Sequence, residues 1–384
     1  MEDLTHLKDL KPLADNALRC LDIKGPNQRG QELVIIYNGS DPYKTKLAEA
    51  IMDESLRTSA SVARRDIDQY FKNYEDDDHL LAELNEGIAY RTNNPLKRNA
   101  INLLPLGGRY DKVRRRVTQD LMINKKAYVL QVPFSKQETA EAIFSIDPDR
   151  AEEVALRMKA DLDRASEYMI ESSPTSVLQY PVNPNLSWVV SVGKIKKYSP
   201  LGPQGESIGG WGNPPGEIFT SFANEPRDYE AISGELLFDA FTLGHALNQG
   251  EFFHTEINRG RVNTDIFARA IVNMEISHDL RGKILETFLL DEWANCPGEL
   301  GLGLVKGFDL ATERGRSSLE GLTFEKIAGT LHVGFGDDEN ERGTGGFVKS
   351  KAHNDCGISR PRFEAKIDNK WVTILDGSGN SPYF

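Results

Sequence analysis

Five side chains in the second half of the sequence could do chemistry together. His353-Asn354-Asp355 follows Ser350-Lys351-Ala352. If that piece is a strand, positions i and i+2 project to one face, so an imidazole and a carboxylate can reach a single metal ion. His332 lies in Gly329-Thr330-Leu331-His332-Val333-Gly334-Phe335-Gly336, where flanking glycines permit close backbone approach to an ion. Glu217 sits in Pro214-Pro215-Gly216-Glu217-Ile218-Phe219-Thr220, and Glu299 in Pro297-Gly298-Glu299-Leu300-Gly301-Leu302-Gly303-Leu304. A carboxylate in such apolar company is costly to bury unless it is paired or binds a cation. Each residue taken alone also has an ordinary reading: a satisfied core histidine, a turn aspartate, a helix start or an arginine partner.

Taken together, Glu217, Glu299, His332, His353 and Asp355 are hard to borderline donors that suit zinc, manganese, cobalt or ferrous iron. Such a set can hold two ions that share a bridging water, lower its pKa and clamp a tetrahedral transition state, which is hydrolytic machinery. No Cys/His pairing stands out that would offer a covalent nucleophile. His254 and His278 lack comparable surroundings and read as structural. Trp211 and Asn213 could line a pocket, while Arg360 and Arg362 read as partners of nearby acidic residues.

Positioning these residues falls to a chain of 384 residues, long enough for two domains. A hydrophobic fraction of 39% with 27% charged residues is that of a globular protein, and the net charge of −12 disfavours nucleic acid and anionic membranes as partners. The basic run Lys112 to Arg116 reads as a solvated helix face. Cys20, Cys296 and Cys356 are far apart and odd in number, as expected of reduced thiols in the cytoplasm. The acidic N-terminus is unlike a signal peptide, and no apolar run reaches the ~20 residues that span a bilayer.

Glu32 to Tyr37, the turn Asn38-Gly39-Ser40-Asp41-Pro42 and the apolar spacing from Lys44 to Ser55 predict strand, turn and helix. Further strands are expected at Ile101 to Leu106 and Ala127 to Pro133, with a helix over Arg114 to Leu121, giving βα units on a mostly parallel sheet. No G-x-G-x-x-G follows the first strand, so a dinucleotide is not expected. Apolar residues from Ala151 to Met169 predict a long helix over Asp149 to Ile170, and Glu171-Ser172-Ser173-Pro174-Thr175 an inter-domain boundary. Strands are expected at Leu186 to Val192, Glu235 to Phe238 and Lys370 to Leu375. The resulting expectation is an α/β N-terminal lobe over residues 1–172 and an α+β, strand-rich metal-binding catalytic lobe over 173–384.

Order and context of four segments resemble the thermophilic-type aminopeptidases, a metallopeptidase family that includes aminopeptidases T, S and II. Its E-V-F-T, G-E-L-x-x-G, G-T-x-H-x-A-x-G and terminal H-x-D segments correspond to Glu217-Ile218-Phe219-Thr220, Gly298 to Gly303, Gly329 to Gly336 and His353-Asn354-Asp355. The resemblance implies a two-lobed homodimer with a dinuclear zinc, cobalt or manganese centre. It makes Glu217, Glu299, His332, His353 and Asp355 the ligands, with Glu299 also catalytic, and small peptides the substrates. The family tyrosine that follows the first histidine falls here on Glu339, and no tyrosine lies between His332 and His353. A ring-cleaving dioxygenase acting on 2,5-dihydroxypyridine also resembles this family, which implies as alternative a single Fe(II) with open positions for a diol-like substrate and O₂. A metal-binding protein without catalysis is the remaining reading.

Overall fold

The computed structural model describes residues 10–21, 31–57, 61–71, 97–104, 110, 117, 127–132, 134, 136–191, 211–212, 216–264, 276–319, 321–337 and 343–384. The basic run, Gly107-Gly108, most of the helix expected over Arg114 to Leu121, Asn213 and Glu339 lie outside them. The chain divides into two compact units, Met1–Pro148 with Val192–Pro215, and Asp149–Ser191 with Gly216–Phe384.

In the first unit β1 (Gln31–Tyr37) lies between β2 (Ser61–Asp66) and β3 (Lys97–Asn102), followed by β4 (Tyr128–Gln131) and β8 (Trp211–Gly212), all parallel. Leu33 to Tyr37 are buried without interruption, as a parallel strand covered on both faces requires. Asp41 Oδ1 accepts from the backbone N–H of Tyr43 at 3.0 Å and of Lys44 at 3.2 Å, which caps the helix Pro42–Arg57 that follows the turn. That helix and Lys11–Cys20 bury Leu13, Ala17, Leu47 and Ile51 with Leu33 and Ile35 in one core.

The second unit holds two antiparallel seven-stranded sheets. One has the order β14 (Arg261–Val262), β13 (Phe253–Asn258), β10 (Ser233–Phe238), β6 (Ser176–Pro181), β5 (Ala165–Ser173), β18 (Arg362–Ile367), β19 (Lys370–Asp376). The other runs β12 (His245–Ala246), β11 (Phe241–Thr242), β17 (His353–Ile358), β16 (Leu331–Gly336), β15 (Pro297–Gly303), β9 (Glu217–Ser221), β7 (Val189–Ser191). Phe335 of β16 meets Phe238 of β10 at 5.8 Å and Phe288 at 5.0 Å between ring centroids, so the sheets share an apolar interior on the Phe335 side. One parallel and two antiparallel sheets with few helices make a mixed α/β fold.

The helix expected over Asp149 to Ile170 is shorter. It covers Pro148–Leu162, turns at Asp163-Arg164 and continues as β5, which belongs to the second unit with the helix. Tyr168 and Ile170 alternate in burial with their neighbours between β6 and β18. Ala165 and Met169 fit a helical spacing, but a short apolar run fits both periods, and pairing with two strands decides it.

Candidate metal centre

Strand register places the predicted donors. Glu299 pairs with Ser221 and Gly334, Gly301 with Phe219 and His332, and Gly303 with Glu217. On the other side His332 pairs with Gly357, Gly334 with Asp355, and Gly336 with His353. Antiparallel partners share a face and positions alternate along each strand. Glu217, Glu299, His332, His353 and Asp355 therefore stand on one face, together with Phe219, Ser221 and the glycines at 301, 303, 334, 336 and 357. The opposite face carries Ile218, Leu300, Leu302, Val333 and Phe335.

The glycines are space. A Cβ on Gly301 would sit 2.1 Å from His332 Cε1, and one on Gly334 would lie 2.9 Å from Asp355 Oδ1 and 3.0 Å from the Cβ of Glu299. The His332 ring thus lies across Gly301, and Gly334 lets the Glu299 and Asp355 side chains approach one another. Phe241 covers Gly357 in the same way and stacks on Phe324 at 5.7 Å. Phe324 belongs to the 3₁₀ turn Gly321–Lys326, whose chain then runs beside Gly303 and Val305 through Val305 N–H to Lys326 O at 2.7 Å.

The donors form two groups. One ligand atom each from Glu217, Glu325 and His332 lie within 4.8 Å of one another, as do those of Glu299, His353 and Asp355. His332 joins them, its Nε2 being 3.3 Å from Glu299 Oε1 and 4.0 Å from Glu217 Oε2. Burial is graded: the side chains of His332, Glu217 and Glu299 are 0%, 2% and 3% exposed, those of Asp355 and His353 16% and 30%. His353 Nδ1 donates to the Asp337 carbonyl at 2.7 Å, which fixes the ring and directs Nε2 toward Asp355 Oδ1 at 3.4 Å. Outer hydrogen bonds of this kind orient imidazole ligands in metal sites.

The residues fit a cation. Glu217 Oε2, His332 Nδ1 and Asp355 Oδ1 are buried with no hydrogen bond from the protein, a condition that costs roughly 1–3 kcal/mol for a polar group and more for a charged one. Burial works against a charge on His332, but the Glu299 hydrogen bond and the charges of Asp355, Glu299 and Glu325 outweigh it and raise its pKa to about 9. Burial pushes Glu325 up to about 8 against the pull of Lys326. Asp355 is held below the usual carboxylate range, since His353, His332 and Lys326 overcome its own burial. The field at this site favours positive charge.

Two residues here escaped sequence reasoning. Glu325 and Lys326 are both buried, and Lys326 Nζ contacts Glu217 Oε1 as well as Glu325 Oε1 at 3.2 Å. The signal for Glu325 was the one that marked Glu217 and Glu299, a carboxylate in apolar company, here Thr323-Phe324-Glu325-Lys326-Ile327-Ala328. The adjacent lysine makes the pair look like a solvated surface couple. Other candidates lie apart from this set: His254 Nε2 contacts Ser176 Oγ at 3.1 Å and Glu235 Oε2 at 3.2 Å on the other sheet, Arg360 pairs with Asp309, and Arg362 with Glu364 at 2.8 Å.

No protein-family profile matches the sequence, and no curated protein does. Solved structures match at the level of fold. A 2,5-dihydroxypyridine dioxygenase from Pseudomonas putida KT2440 superposes with a TM-score of 0.58 at 16% identity, covering 98% of this chain and 99% of that one. Wild-type AmpT from Thermus thermophilus gives 0.55 at 17% identity, covering 97% and 98%. The chain thus shares its fold, over nearly its whole length, with an oxygenase and with a thermophilic aminopeptidase.

Proposed function

We propose that this chain is a metal-dependent hydrolase that cleaves a peptide or amide bond in a small substrate, with its ion site at Glu299, His353 and Asp355 beside His332 and Glu217. One observation supports the reading: register brings these donors onto a single sheet face on which glycines at 301 and 334 leave room for the His332, Glu299 and Asp355 side chains to approach one another. A divalent zinc, cobalt or manganese ion there supplies Lewis acidity and a bound water whose pKa falls to roughly 7. Glu299 would hold the ion and serve as proton acceptor, since it lies between the two donor groups with Oε1 facing His332 Nε2. His353 is kept in one orientation by the Asp337 carbonyl. The covered end of the face, under Phe241 and Phe324, excludes water from around His332.

A second reading keeps the site and changes the chemistry to oxygenation of a diol-like ring by one Fe(II). The lack of any tyrosine between His332 and His353 favours it, because the resemblance assigns that tyrosine to steadying the tetrahedral intermediate of peptide hydrolysis. The donor set does not choose the metal. The deciding experiment strips the purified chain with chelator and reloads it anaerobically with Zn, Co, Mn or Fe(II). Each form is then assayed for cleavage of a dipeptide panel and for O₂ uptake with dihydroxylated aromatics. Peptide cleavage without O₂ supports the hydrolase; O₂ uptake with Fe(II) alone replaces it with the oxygenase; an ion bound with neither activity leaves a metal-binding protein.

A further inference from the structure

We propose that Asp291 is a positioning residue for the metal centre: through Ser350 and Asp337 it holds the His353 ring in the orientation that lets Nε2 reach an ion. The inference rests on the metal-site reading above and concerns how one ligand of that site is kept in place.

His353 is the first residue of β17, and no strand precedes it among the described residues 343–352. Its side chain is 30% exposed, so packing alone constrains the ring little. What directs it is the Asp337 carbonyl, which accepts from Nδ1 at 2.7 Å. That carbonyl is held in turn by the segment just before His353: Asp337 N–H donates to the Ala352 carbonyl at 2.7 Å, and Asp337 Oδ1 accepts from Ser350 N–H at 3.4 Å. Two glycines make room for this arrangement. A Cβ on Gly336 would lie 2.2 Å from the Ala352 carbonyl oxygen, at a φ of +99° that already favours glycine, and one on Gly298 would lie 3.1 Å from the Asp337 carbonyl oxygen.

Asp291 fastens the same segment from its other side. The Ser350 hydroxyl donates to its carboxylate, lying 2.9 Å from Oδ1 and 3.0 Å from Oδ2, and Oδ2 also accepts from Lys351 N–H at 2.7 Å. Trp293 N–H, which donates to Oδ1 at 3.0 Å, aims the carboxylate itself. With its proton given to Asp291, the Ser350 oxygen accepts from Ala352 N–H at 3.0 Å. A chain of hydrogen bonds thus runs from Asp291 through Ser350 and Asp337 to His353, and it begins at a charged acceptor, where such bonds are about twice as strong as neutral ones. Groups behind an imidazole ligand that set its orientation change metal affinity without touching the ion. A clamp of the same chemistry closes the other end of β17: Asp239 accepts from Ser359 N–H at 2.8 Å and from the Ser359 hydroxyl at 2.6 Å, beyond Ile358 and away from His353. It separates a positioning role from a merely structural one.

Metal-free full-length protein titrated with Co(II), by calorimetry and through the visible Co(II) bands, tests this, with urea unfolding of each metal-free form alongside. Asp291→Asn should weaken Co(II) binding about 10-fold and shift the bands. Ser350→Ala, which leaves the Lys351 bond in place, should do the same, and the double variant should lose less than the product of the two losses, because both cut one chain. Asp239→Asn should lower stability while leaving affinity and bands unchanged. If Asp291→Asn does not fold, Ser350→Ala decides by the same measure. Natural affinity in the folded Asp291→Asn or Ser350→Ala protein would overturn the inference, as would independent losses in the double variant or an equal loss in Asp239→Asn. Binding of no Co(II) by the natural protein would instead overturn the metal-site reading itself.

Discussion

Strands β1 and β15 are both buried on both faces, and they use that burial in opposite ways. In β1 the run Leu33 to Tyr37 fills each side with branched or aromatic bulk. In β15 every second position is small or charged: Glu299, Gly301 and Gly303 alternate with Leu300 and Leu302, and all are buried. Close packing leaves little void in an ordinary core, so glycines facing one way must be filled from neighbouring strands, here by the His332 ring and by the Ile327 backbone. A sheet becomes a site where it gives up side-chain volume on one face and admits polar groups into the space.

The comparison can be broken most severely at Asp355. Asp355→Ala should remove metal binding and lower activity by about 1,000-fold or more, because a charged donor is lost outright, whereas Ile35→Ala in β1 should cost about 2–5 kcal/mol of stability and leave metal content per folded chain unchanged. Elemental analysis beside urea unfolding separates the two; a fully metallated Asp355→Ala enzyme would sink the donor assignment. Next in size is Gly301→Ala. Its methyl carbon would overlap His332, so metal affinity should fall about 10- to 100-fold, consistent with the sensitivity of metal sites to how their ligands are oriented; unchanged affinity would mean that the ring is free to move.

A pH series sharpens the contrast further. His332, lifted from its ordinary 6.5 to about 9, and Glu325, lifted from 4.5 to about 8, bind more protons in the folded metal-free protein than in the unfolded chain. The stability tied to His332 is present in full below pH 6.5 and is lost as pH rises through 9; that tied to Glu325 is lost between 4.5 and 8. The unfolding free energy of metal-free protein, read from urea titrations, should therefore fall from pH 6 to pH 9 by several kcal/mol, with the midpoint falling alongside it. Metal affinity should climb over the same interval, since a cation beside His332 is repelled by its protonated form. A midpoint that rises with pH would contradict the charge arrangement. The smallest effect is expected at His254, where replacement by Ala should change activity by less than about 2-fold, a surface-type substitution away from the donor face.

Much of β1 and its capped helix was readable because each signal is local: an uninterrupted apolar run, then Asn38-Gly39-Ser40-Asp41-Pro42. His353 and Asp355 were readable for the same reason, being two apart on one strand. The partnership of Glu299 with His332 depends on register between β15 and β16, which no single stretch encodes. The extent of the helix after Asp149 was misjudged because Ala165 and Met169 satisfy a helical period within a strand. Glu325 and Lys326 were passed over because adjacent opposite charges ordinarily lie in solvent, and only the fold of the 3₁₀ turn against β15 carries them inside.

The gradient of exposure from His332 to His353 also makes the two imidazoles chemically unequal toward the outside. A reagent such as diethyl pyrocarbonate can reach His353, whose side chain is 30% exposed, while His332 at 0% is sealed. Chelators meet the same boundary: the solvent-facing edge of the donor set is the His353–Asp355 edge, and an ion held there would meet the medium on that side first.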